Sequence, residues 1–116
     1  MDPRRLFGNR GEAMAAEYLK RQGYKILERQ FRTRFGEIDL VALSSGEIVF
    51  VEVKTRKSSA HGFPEEVVTE TKLHKLEIAA EHFLKKHALE GRPYRFDVVA
   101  IVGEGGECQV EHLVGV

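Results

Sequence analysis

The sequence predicts an α/β protein: one mixed β-sheet with helices packed on it, in the order helix, three strands, helix, two strands. Three observations carry that reading. Apolar residues recur at helical spacing near the amino terminus and again across residues 69–87. Between and after those stretches stand short runs rich in Val, Ile and Phe, either alternating with polar residues or wholly apolar. The first three of these runs are joined by short connections, which favour antiparallel pairing. A helix separates the third from the fourth, which permits a right-handed crossover to a parallel neighbour.

The first helix is expected to begin near Gly8 or Asn9 and to run to Gln22. Gly23 supplies the stop, and Lys20 and Arg21 suit the negative end of the helix dipole. Ala15, Ala16 and Leu19 stand three, four and seven positions after Glu12 and share its face. Glu12 thus lies in the stripe that meets the sheet; the alternative is a glutamate at the edge of the core that complements the dipole. Residues 24–29 read as the first strand, followed by the basic segment Gln30-Phe31-Arg32-Thr33-Arg34.

The next two strands carry the chemistry. Gly36-Glu37-Ile38-Asp39-Leu40 and Val51-Glu52-Val53-Lys54 each alternate apolar and polar residues. Side chains two apart share a face, which groups Glu37 with Asp39 and Glu52 with Lys54. Ser44-Ser45-Gly46-Glu47 is the hairpin loop between them. If Leu43 pairs with Ile48 across a four-residue loop, Asp39 falls opposite Glu52. A three-residue loop without a bulge places them on opposite faces, so the site depends on register. Val49, Val51 and Val53 pack one face of the third strand, with Ile48, Phe50, Glu52 and Lys54 on the other.

Residues 55–62 read as a mobile basic loop ending near Phe63 and Pro64. The second helix spans residues 69–87, with Leu73, Leu76, Ala80, Phe83 and Leu84 at helical spacing, and Gly91 and Pro93 break the chain after it. Residues 95–102 are too apolar for an edge and predict a central strand. Residues 103–106 make a turn, and residues 108–114 a final weaker strand.

A length of 116 residues fits a single domain, residues 1–116, with 42% hydrophobic and 31% charged residues typical of soluble globular proteins. The charged amino terminus leads into no long apolar run, so neither a signal peptide nor a membrane span is expected and the location is cytoplasmic. Cys108 stands alone, which excludes an internal disulfide and a cysteine-built zinc site, and the five histidines form no close ligand pair. A net charge of zero counts against strong non-specific nucleic-acid binding. The distribution is uneven, however: residues 1–57 hold 12 Lys and Arg against 8 Asp and Glu, and the remainder 6 against 10. Neutralising Glu12, Glu37, Asp39 and Glu52 by metal leaves a basic amino-terminal half.

Glu12, Asp39 and Glu52 are expected to meet where the first helix crosses the hairpin. Two carboxylates about 5 Å apart repel by roughly 3 kcal/mol at an effective dielectric near 20. Such a cluster needs a basic side chain or a bound cation, and an all-oxygen donor set favours Mg²⁺ or Mn²⁺ over zinc. Such an ion polarises a phosphodiester and activates water. Lys54, which cannot ligate while protonated, would orient the attacking water or stabilise developing phosphorane charge. The plainer reading of Glu52-Val53-Lys54 is an exposed ion pair worth about 0–1 kcal/mol. Arg56 and Lys57 follow the site and suit phosphate clamping as well as they suit an ordinary solvated run. Lys72 and Lys75 could touch a phosphate backbone from the second helix but read as ordinary helix-surface lysines, and Arg95 with Asp97 as an ion pair ordering the sheet.

Glu12, Asp39, Glu52 and Lys54 together resemble the metal site of the PD-(D/E)XK nuclease superfamily, which includes type II restriction enzymes and archaeal Holliday-junction resolvases. More narrowly, the chain resembles the YraN-type bacterial family. The matching elements are Gly11-Glu12-Ala13 with Ala16 and Leu19, Gly36-Glu37-Ile38-Asp39-Leu40, Val49-Phe50-Val51-Glu52-Val53-Lys54-Thr55-Arg56 and Arg95-Phe96-Asp97-Val98-Val99. The resemblance implies a restriction-endonuclease-like core in which Asp39 and Glu52 hold the metal and Val53 adds a backbone carbonyl. It also implies that Lys54 assists catalysis and Glu12 is a helix-borne ligand. The superfamily's proline is absent, with Ile38 before Asp39, and Gln30 stands where the family pattern often has asparagine and is given no role. The function so implied is a Mg²⁺- or Mn²⁺-dependent DNA endonuclease acting on branched or junction structures. Arg32, Arg34, Arg56 and Lys57 would line the phosphate contact, and a homodimer would present two sites to opposed strands. The alternative is a catalytically silent nucleic-acid-binding or protein-docking module on the same fold.

Overall fold

Residues 36–56 close on the predicted hairpin, and around it the chain builds a five-stranded sheet with a helix on each face. The computed structural model describes residues 3–56, 69–104 and 107–116. The elements are α1 (Pro3–Arg21), β1 (Lys25–Thr33), β2 (Gly36–Ser44), β3 (Glu47–Arg56), α2 (Glu70–Lys86), β4 (Tyr94–Glu104) and β5 (Glu107–Leu113). Strand order follows the chain, β1-β2-β3-β4-β5. All neighbours are antiparallel except β3 and β4, which run parallel from Ile48↔Tyr94 to Arg56↔Val102. β4 has a partner on both sides, as its apolar run predicts.

The hairpin ladder reaches one pair further than expected. Leu43 pairs with Ile48 and Ser44 with Glu47, so the turn is only Ser45 and Gly46, at φ 50° and 82°. Positive φ at both positions is the mirror-image turn whose twist matches the flanking strands. That register is the one in which Asp39 falls opposite Glu52.

Element boundaries differ from expectation at several ends: β3 runs on to Arg56, β4 spans Tyr94–Glu104, β5 spans Glu107–Leu113, and α1 and β1 differ most. α1 begins at Pro3 rather than near Gly8 or Asn9; proline is tolerated at a first helical position because its missing N–H has no partner there. β1 continues through the segment read as a basic connection, to Thr33, although Gln30 sits at φ 52° within it. α2 meets its expected limits, which are its two caps. Thr69 Oγ1 accepts the Lys72 N–H at 3.1 Å, and His87 closes the other end.

Each face of the sheet has its own core. Ala15, Ala16 and Leu19 of α1 cover Leu40, Ala42, Val49, Val51, Val99 and Ile101. Leu76, Ala79, Ala80, Phe83 and Leu84 of α2 cover Phe31, Ile38, Val41, Ile48 and Phe50. The Phe83 ring stands edge-on to Phe31 and Phe50 at 5.3 and 5.7 Å, contacts worth about 0.5–1.5 kcal/mol each beyond area burial.

Arg95 and Asp97 form the expected ion pair, within a larger network. The Asp97 carboxylate, 1% exposed, accepts from Arg95 Nε and the Gly115 N–H at 3.0 Å and lies 2.7 Å from His112 Nε2. Arg95 also donates to Glu47 and to Tyr24 Oη. The Asp97 hydrogen bond, more than any other contact, keeps the guanidinium firmly charged. Thr55 and Arg56, expected to open a basic loop, instead end β3, and the rest of that loop, with Lys57, lies outside the described residues. Among the described residues no helix is long and apolar enough to cross a membrane.

Candidate functional site

Asp39 occupies a seam where two ladders break. In a regular strand Ile38 and Leu40 share a face, yet Ile38 packs under α2 and Leu40 under α1. On one side, pairing with β3 ends at Leu40↔Val51, and Asp39 Oδ2 accepts the Val53 N–H at 2.7 Å, taking the place of a backbone acceptor. On the other side, Arg29↔Leu40 and Phe31↔Ile38 bracket Gln30, which counting places opposite Asp39. Gln30 is the residue at positive φ, a conformation uncommon for a long side chain. Its Nε2 donates to Glu12 Oε2 at 2.8 Å. The position given no role in the sequence therefore orients a site carboxylate.

Glu12 comes in because Gly11 lets α1 approach β3: a Cβ there would lie 2.3 Å from Thr55 Cγ2. Carboxylate oxygens of Glu12, Glu37 and Asp39 lie within 4.8 Å of one another. Glu12 and Asp39 are brought together as expected, with Glu37 in the third place. Burial, then the charge of Glu52, pushes Asp39 up to about 7. The Val53 N–H opposes that rise, while Glu12 and Glu37 add to it.

Glu52 is close enough to act on Asp39, but its own carboxylate turns to two ammonium groups. Lys54 Nζ lies 3.2 Å and Lys72 Nζ 2.7 Å from the same Oε1; Glu52 is buried and both lysines are half-buried. Burial and the neighbouring Lys72 lower the Lys54 pKa. Burial alone would lower Lys72 too, but its bonds to Glu52 and Lys54 raise it. Lys72 was read from the sequence as an ordinary helix-surface lysine. Its placement in the first turn of α2, fixed by the Thr69 cap, makes it part of the site instead.

The basic residues lie around this cluster. Arg32 pairs with Glu37 at 3.6 Å in an exposed contact worth about 0–1 kcal/mol. Arg34 stands over the Phe35 ring, 5.5 Å from its centroid. Arg56 is half-buried at the end of β3.

Fold and site define an α/β protein with a carboxylate–lysine cluster at the splayed end of a mixed sheet. The profile of the uncharacterised protein family UPF0102 matches residues 11–101. The chain is 48% identical over 110 residues to a UPF0102 protein of Syntrophomonas wolfei, covering 95% of this chain and 96% of that one. A UPF0102 protein of Persephonella marina is 46% identical over 95 residues, 82% of each chain. One from an Arthrobacter species is 47% identical over 112 residues, 96% of this chain and 95% of the other. The chain belongs to the UPF0102 family, the YraN-type family its motifs resemble.

Proposed function

We propose that the protein is a metal-dependent endonuclease that hydrolyses phosphodiester bonds in DNA, with branched or junction structures as its preferred targets. The observation that carries this reading is the packing of Glu12, Glu37 and Asp39 within 4.8 Å, beside Glu52 and Lys54. The donor set is all oxygen, which fits Mg²⁺ or Mn²⁺. In this reading Asp39, Glu52, Glu12 and the Val53 carbonyl would hold the ion, with Glu52 turning from its lysines to do so and Glu37 adding negative charge beside Glu12 and Asp39. When bound, it supplies Lewis-acid polarisation of the phosphate and a more acidic water. Asp39 would ligate as the carboxylate, after losing the proton that burial favours, and Gln30 holds Glu12 in place. Lys54 donates toward the developing phosphorane charge, and Arg32, Arg34, Arg56 and Lys57 contact phosphate. Two such chains form a symmetric dimer when both strands are cut.

One observation favours the silent-module alternative: Lys54 and Lys72 already neutralise Glu52 without any metal. A cleavage panel of duplex, single-stranded, flap and four-way-junction DNA with Mg²⁺ or Mn²⁺ separates the two. Cleavage by the wild type that Asp39→Ala abolishes supports the enzyme. Binding without cleavage under every condition supports the module. Light scattering on DNA reads the dimer directly.

A further inference from the structure

We propose that the turn between β1 and β2 is a base-stacking platform, with Phe35 receiving an unpaired nucleobase next to the acidic cluster. The proposal rests on the nucleic-acid reading above and narrows the substrate to one with a single-stranded segment. Phe35 is 45% exposed, a large apolar ring outside both cores. The backbone beneath it is fixed rather than loose. Thr33 Oγ1 accepts the N–H groups of Phe35 and Gly36 at 3.1 Å and donates to the Gly36 carbonyl at 3.0 Å.

The surroundings of the ring suit a nucleotide. Arg34 stands over it, and the His82 imidazole lies 5.8 Å away at 32° to its plane. Aromatic rings, guanidinium planes and imidazoles are the groups on which splayed bases stack. Gly36 abuts α2, since a Cβ there would lie 3.8 Å from Lys75 Cβ. Lys75 is exposed, and Lys72, one turn earlier, reaches Glu52. Arg34, Lys75 and Lys72 thus carry positive charge from the ring to the cluster, along a path that suits a phosphate backbone. From Phe35 to Asp39 is four residues of strand, about 13 Å at the usual rise, or a few nucleotides. A base within a duplex is already stacked, so this ring has access only to one that is not.

The chain contains no tryptophan, so Phe35→Trp places a single reporter on the turn. The variant is titrated with oligo-dT and with a blunt duplex of equal length, in buffer without divalent metal so that no strand is cut. Oligo-dT is expected to quench the emission and the duplex to leave it unchanged. By fluorescence anisotropy, Phe35→Ala is expected to weaken oligo-dT binding about 10-fold while leaving duplex binding alone. Equal oligo-dT affinity in wild type and Phe35→Ala, with no quenching on binding, overturns the platform and leaves the nuclease reading standing. Equal loss of oligo-dT and duplex binding in Phe35→Ala also overturns it. Failure of the wild type to bind either DNA, in this buffer and again with Ca²⁺ to neutralise the carboxylates, removes both readings.

Discussion

Asp39 concentrates the electrostatic cost of the site in one carboxyl group. Burial and Glu52 push it up to about 7 from an ordinary 3.8. Between those values the folded chain holds a proton that the unfolded chain has released, so this group's contribution to stability falls as pH rises from about 4 to 7 and stays low above it. Asp39→Asn keeps an acceptor for the Val53 N–H and removes the charge. Thermal melts without divalent metal should show the variant close to wild type at pH 4 and more stable at pH 8, and Mg²⁺ at pH 8 should raise the melting temperature of wild type only. An unchanged difference across that window would exclude this titration. The two lysines divide differently. Lys54→Ala is expected to keep the fold and to keep or slightly tighten metal binding, since its ammonium also lies on Glu52 Oε1, while lowering cleavage about 10²-fold, roughly 3 kcal/mol. Lys72→Gln should instead tighten Mg²⁺ binding several-fold by calorimetry, because it withdraws a competing ammonium 2.7 Å from Glu52. That Glu12 meets the hairpin and that Glu52 pairs with Lys54 was legible, because helix and strand periods fix which side chains share a face; that Glu37 rather than Glu52 joins Glu12 and Asp39 was not, because the alternation of β2 breaks at Asp39. Lys72 was not, since only tertiary packing brings it to Glu52. Nor was Gln30, whose positive φ has no signature in a glutamine.

At the scale of elements, the close approach of α1 to β3 turns on Gly11. Glycine to alanine in a helix ordinarily stabilises by about 0.5–1 kcal/mol. Here the added methyl would stand 2.3 Å from Thr55 Cγ2, so Gly11→Ala is expected to destabilise by about 1–3 kcal/mol and to weaken metal binding as Glu12 is pushed away. Thr55→Ala removes the clashing carbon and leaves Thr55 Cβ, 3.8 Å away. The double variant should therefore recover most of the loss, which chemical denaturation of the four proteins measures as a coupling energy. Additive effects would mean that the helix does not rest on this contact. The limits of α2 were legible because Thr69 is a strong capping residue. The start of α1 was not, because Gly8 resembled a boundary, and β1 was cut short because Gln30 to Arg34 is polar and basic and resembles a connection.

Across the whole molecule, the Asp97 network holds the end of the sheet remote from α1's Glu12. It joins β4 to Glu47 of β3, to Tyr24 beyond α1, to His112 of β5 and to Gly115. The sequence revealed the Arg95–Asp97 pair by its spacing, but partners drawn from four distant segments leave no local pattern. Asp97→Ala strands buried charge and is expected to cost about 3–5 kcal/mol in urea unfolding. Mg²⁺ affinity, measured below the transition, should be unchanged. A loss of metal binding by the folded variant would make Asp97 part of the site.

The parallel pairing of β3 with β4 also sets an order of events in time. β1, β2 and β3 follow one another through tight turns, whereas β4 reaches β3 only after α2, in contacts such as Glu47 to Arg95, 48 residues apart. Long closures are slow, so the meander is expected to form the nucleus. In stopped-flow experiments Ala42→Gly should slow refolding, and Val110→Ala should chiefly speed unfolding. Glu37, Asp39 and Glu52 all belong to that early part. Their mutual repulsion then becomes a barrier on the way to the native state: refolding should be slower at pH 8 than at pH 5, and a divalent ion should accelerate it.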